Sequence, residues 1–172
     1  MPKEMVRIGI LGIVRPPANR WAVPRLLPLS IGPELPGIAG SVKVREEQGT
    51  ETWYLGGYGL QLHSGDTGNY RDNLIAVRPS VWVALKGADT PAKAAVVLAT
   101  VDPYEGEALA TDPALVVEAV AMPPDLQARV TDFVERHHVE IPFKKRKRKE
   151  LDVELDPRGP RILPEDEKWG RR

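Results

Sequence analysis

No cysteine occurs anywhere in the 172 residues, which removes disulfides, thiolate metal sites and cysteine nucleophiles together. Histidine is confined to His63, His137 and His138, so few side chains are suited to proton transfer near neutral pH. No apolar run approaches the roughly 18 to 20 residues that cross a bilayer; the longest are strand-sized. Ile8 to Val14 is broken by Gly9 and Gly12 and runs into Arg15-Pro16-Pro17 without a small-residue cleavage site, so it reads as a first strand, not a signal peptide. These absences predict a soluble cytoplasmic protein with no membrane span.

Catalytic signatures are also missing. The chain has no G-x-S-x-G, no G-x-G-x-x-G or G-x-x-x-x-G-K-[ST], and no H-x-x-x-H or H-E-x-x-H. The neighbours His137 and His138 would point about 100° apart on a helix and do not converge on one ion. His63-Ser64 with Asp66 supplies triad residue types, but consecutive residues rarely point correctly for a relay. Leu55-Gly56-Gly57-Tyr58-Gly59 is glycine-rich and reads as a turn or bulge in preference to a phosphate cradle. No catalytic, metal-binding or cofactor-binding residue is assigned, and no cofactor is expected.

What the sequence does contain is a 42% hydrophobic share, enough for one ordinary core, and an uneven charge distribution beneath a formal net charge of zero. Residues 1–143 carry 13 Lys and Arg against 17 Asp and Glu, a balance of −4, whereas residues 144–172 carry 11 against 7, a balance of +4. Six adjacent cations, Lys144 to Lys149, repel one another and cannot enter a core. Pro157, Pro160 and Pro164 disfavour a long regular element beyond them. The expected organisation is a single domain, 1–143, followed by a basic extended tail, 144–172.

Short apolar runs punctuated by Gly and Pro predict strands over Val6 to Val14, Trp21 to Leu29, Thr52 to His63, Val81 to Leu85, Ala95 to Val101 and Leu115 to Val120. Within Thr52 to His63, Tyr58, Leu60 and Leu62 should share one face, with Gln61 and His63 on the other. Val81 to Leu85 and Ala95 to Val101 do not alternate and are expected to be buried on both faces. Asn69 to Leu74 reads as a helical turn. Asp102-Pro103-Tyr104-Glu105 is a helix start, with Asp capping, Pro at the first position and Glu able to reach back. A main helix follows Met122-Pro123-Pro124-Asp125, with Leu126, Val130, Phe133, Val134 and His137 on one face. The predicted fold is α+β: a mostly antiparallel sheet, curled toward a barrel, covered by a 124–138 helix.

Several blocks together resemble a known family. They are Leu60-Gln61-Leu62-His63, Asn69-Tyr70-Arg71-Asp72-Asn73-Leu74, Pro79 to Leu85, Asp102 to Glu105, Val120 to Pro123, and Phe133 to Val139 followed by Pro142-Phe143-Lys144-Lys145-Arg146-Lys147-Arg148. Over residues 6–148 the chain resembles the bacterial domain-of-unknown-function 3305 family. Members are often labelled molybdopterin-guanine dinucleotide biosynthesis protein A and lie near genes for molybdenum-dependent formate dehydrogenase. The resemblance thus implies a setting in molybdoenzyme maturation. Transferases of that label carry an N-terminal glycine loop ending in Arg-Met-Gly, which Leu55 to Gly59 lacks.

The expected function is a non-catalytic accessory or assembly protein for a molybdenum enzyme, formate dehydrogenase first. It would act by binding a protein partner, either an enzyme subunit or a maturation factor. The partner-binding candidates are His137, His138, Phe143, Lys144, Lys145, Arg146, Lys147, Arg148 and Trp169. Two alternatives stay open: molybdopterin-cofactor nucleotide binding or transfer, and nucleic-acid binding through the basic run.

Overall fold

A computed structural model describes residues 2–17 and 19–139. In chain order these form β1 (Lys3–Val14), β2 (Leu26–Gly32), β3 (Val42–Glu47), β4 (Thr50–His63), α1 (Thr67–Leu74), β5 (Ser80–Lys86), β6 (Ala95–Thr100), α2 (Pro103–Leu109), β7 (Val116–Ala121) and α3 (Pro124–His137). Every strand pairing is antiparallel. One sheet has the order β2-β1-β4-β3 and the other β6-β5-β7.

The α+β class is as the sequence predicts, but the curl does not close into a barrel: among the described residues no ladder joins the two sheets. The reason lies in β4. Its neighbour β3 is short and pairs only with Thr50 to Tyr54, so among the described residues the rest of β4 continues with β1 alone.

Alternation along β1 buries Val6, Ile8, Ile10 and Val14. They join Leu60 and Leu62 of β4, Val81, Val83 and Leu85 of β5, and Leu126, Val130 and Phe133 of α3 in one cluster. Each such buried side chain contributes about 1.5–3 kcal/mol of transfer free energy. The α3 stripe is the one that the spacing predicts. Among the described residues, no helix is long and apolar enough to cross a membrane.

A bulge sets the geometry of β4. The β1–β4 register shifts between Gly9 and Leu11, opposite Gly56, whose φ of 95° is open to glycine and strained for other residues. Beyond it the parity flips: Leu60 and Leu62 face the core on one side of the bulge, Leu55 and Trp53 on the other. Tyr54 turns to the opposite face yet stays buried, its hydroxyl accepting the Leu35 N–H at 2.9 Å.

Three elements depart from expectation. β2 begins at Leu26, not Trp21, because the Asn19 side chain accepts the N–H groups of Trp21 and Ala22 and holds a turn there. Strand β3, which no sustained hydrophobic alternation marks, is made of exposed residues and enters β4 through Gln48 and Gly49, with φ of 50° and 77°. Two positive φ values are what a two-residue hairpin turn of matching twist requires. β6 is a sheet edge that exposes Val97, so only β5 is buried on both faces. The unit that contains all these elements ends at Val139, and the expected tail lies outside the described residues.

Candidate functional site

Beyond Tyr54, one edge of β4 has no partner strand among the described residues. Two hydrogen bonds give the phase of that edge. The N–H of Ser64 donates to the carbonyl of Pro2, on the β1 side, at 3.1 Å. One residue earlier, the N–H of His63 donates to the Tyr70 hydroxyl, also at 3.1 Å, on the opposite side. Backbone groups alternate sides along a strand, so Gln61 and Gly59, in phase with His63, direct their N–H and C=O groups to the open edge.

Among the described residues β6 is paired only with β5, and it lies across a cleft of about 700 Å3 from β4. Gly59, Gln61 and His63 line one wall and Leu98 to Thr100 the other. Asp66, Tyr70, Asp102 and Glu105 gather at the helical end, with Lys3 beside the β4 wall.

The helical end is rigidly built. Asn73 is buried, donates to the carbonyls of Ser80 and Val101, and accepts from the N–H of Ser80, which fixes α1 to the second sheet. Asp102 is the predicted cap of α2: its Oδ1 accepts the N–H of Tyr104 at 2.9 Å and of Glu105 at 3.4 Å. Its Oδ2 accepts from the Asn69 amide at 2.7 Å, tying α1 to α2. The expected return bond from Glu105 is not made, because Thr100 Oγ1 already accepts the Asp102 N–H at 3.1 Å. Glu105 is left exposed in the cleft lining.

Tyr70 is almost wholly buried, and desolvation pushes its hydroxyl up to about 12, aided by the negative charges of Asp66, Asp102 and Glu105. It therefore stays a neutral hydroxyl through the physiological range. Its oxygen accepts from His63, and its proton has no acceptor among the described residues. The cleft can thus offer an unused strand edge, one phenolic donor and a group of carboxylates.

The two predicted histidines occupy the end of α3 and are not in the cleft lining. His137 packs its ring on Phe133 at 4.7 Å. His138 Nε2 lies 3.3 Å from Arg71 Nη1, and its Nδ1 lies 3.2 Å from Thr67 Oγ1. Arg71 can only donate, so Nε2 is the acceptor and the hydrogen is assigned to Nδ1. Thr67 in turn donates to the carbonyl of Ser64 at 3.1 Å. His138 therefore anchors the α3 terminus to α1, while His137 packs within α3. Phe143, Lys144, Lys145, Arg146, Lys147, Arg148 and Trp169 lie outside the described residues.

The glycine cluster is occupied by the chain itself. Gly56 lies under the backbone of Gly40, and the Glu34 carboxylate presses against Gly57. Arg7 holds that carboxylate with a 2.7 Å bond from Nε and a second from Nη2, keeping Glu34 below the usual carboxylate range. A phosphate brought to Gly57 would meet this carboxylate. No side-chain hydrogen bond links His63, Ser64 and Asp66 among the described residues, and no three His, Asp or Glu side chains there converge as metal ligands.

Fold and site define an α+β module of two antiparallel sheets with an open-edged polar cleft. The chain belongs to the DUF3305 family, described as a protein of unknown function, whose model matches residues 7–147. No curated protein and no solved structure matches the chain.

Proposed function

We propose that the chain is a non-catalytic accessory or assembly protein of the cytoplasm. It would serve a molybdenum-dependent enzyme, formate dehydrogenase first, by binding an enzyme subunit or a maturation factor through the α3 terminus and the basic residues that follow. The observation that carries this reading is the anchoring of the α3 terminus. His138 bridges Thr67 and Arg71, so the end of α3 is held in place a few residues before Lys144 in the sequence. The family match continues to residue 147, taking in Lys144 to Lys147, which supports a role for those cations within the family unit. An adjacent run of cations suits fast, salt-sensitive docking on an acidic protein surface.

The test uses the tagged chain with and without residues 144–172, mixed with purified molybdenum-dependent formate dehydrogenase and its maturation proteins. Co-purification should require the segment. Equal recovery of both forms removes the role of the tail, and no recovery of either removes the reading.

A further inference from the structure

We infer that the cleft between β4 and β6 binds an extended, lysine- or arginine-bearing peptide segment of a partner protein, which adds to the open edge of β4 as a strand. This rests on the protein-binding reading above and assigns a second contact, separate from the tail. Three observations carry it. Gln61 and Gly59 direct backbone donors and acceptors into the cleft where no strand takes them among the described residues. An added strand satisfies such groups along its own length. Tyr70 already stands at the end of that edge, accepting the His63 N–H as a neighbouring strand would, and keeps its own proton to donate.

The charge of the lining selects the occupant. Asp66 and Glu105 reach the cleft with no ion-pair partner among the described residues, and Asp102 lies buried behind them. Among the described residues Lys3 is the one fixed cation in the lining, so the balance favours a cationic side chain near Tyr70.

The probe is a blocked peptide of about nine residues, alternating Val and Thr with one central Lys, added to the 15N-labelled full chain while amide hydrogen exchange is followed. The Lys peptide should protect the amides of Gly59 and Gln61 and bind about tenfold more tightly than its Glu counterpart. A peptide N-methylated at alternate residues should lose the protection, which leaves the protein itself unaltered. The double variant D66N/E105Q should stay folded, bind the unmethylated peptides and lose the preference for Lys.

Unprotected amides at saturating peptide, or equal binding of the methylated peptide, would overturn the proposal. So would protection present without peptide: rising with protein concentration it assigns the edge to a second copy, and independent of concentration to a segment of the same chain. If the peptide fails while formate dehydrogenase still co-purifies through residues 144–172, the cleft assignment falls and the tail reading stands.

Discussion

The backbone N–H of His63 donates to the side-chain hydroxyl of Tyr70 at 3.1 Å. A residue of α1 thereby occupies the place of a β-strand neighbour at the last position of β4, on the edge that the pairing with β1 leaves open. The phenol thus joins α1 to the end of that edge.

Replacing Tyr70 with Phe keeps the ring packed near Phe133, whose centroid lies 6.5 Å away, and removes only the oxygen. The variant should lose about 1 kcal/mol in denaturant unfolding at neutral pH, because water can reach the half-buried His63 only in part. The exchange of the His63 amide should accelerate. An unchanged His63 amide would mean that the bond is not made in solution.

The same hydroxyl predicts behaviour in alkali. Its folded value is raised from 10.0 to about 12 by burial, so the folded chain holds the proton more tightly than the unfolded one. That contribution is fully present below about pH 10 and is lost as pH rises through about 12, a fall of about 2–3 kcal/mol. Denaturation midpoints measured across this range should fall more steeply for the wild type than for Tyr70→Phe. Parallel curves would contradict the burial argument.

Asp102 joins two helices, so its replacement should cost more than a cap alone. Asp102→Ala removes the acceptor for Tyr104 and Glu105 and strands the Asn69 amide, with an expected loss of about 1–3 kcal/mol. A double-mutant cycle with Asn69→Ala should show coupling of at least about 0.5 kcal/mol. Additive losses would mean that the Asn69 contact carries no stability.

Phe133 joins α3 to Tyr70 and to the ring of His137 from a site with 1% exposure. Phe133→Ala should cost about 3–5 kcal/mol in thermal or denaturant unfolding and should loosen the α3 terminus that carries the basic residues. A loss below about 1 kcal/mol would indicate that α3 is not integral to the core.

The parts of the fold written in local chemistry could be read from the sequence. The α3 stripe of Leu126, Val130, Phe133 and Val134, the Asp102 cap and the alternation of Leu60 and Leu62 each follow from spacing or from one side chain's bonding capacity. What could not be read depends on pairing. β3 is polar and wholly exposed, so no hydrophobic period marks it, and its turn uses Gln48 where Asn or Asp is the usual signal. The cleft was even less accessible, because Gly59, Gln61, Tyr70 and Glu105 meet only where β4 ends and β3 fails to continue. One signal lies in the strand itself: Gln61 and His63 alternate onto the face away from Leu60 and Leu62, and the backbone of the same residues faces the open edge. Of the two adjacent histidines, His138 holds α3 to α1, a contact that depends on tertiary placement and not on sequence spacing.

The proposed protein-binding role of the basic segment can be measured by titrating purified molybdenum-dependent formate dehydrogenase with the full chain and with a chain ending at residue 143. The full chain should bind, its affinity should fall as salt is raised, and truncation should weaken binding by about tenfold or more. Equal affinity of the two chains, or no binding by the full chain, would contradict it.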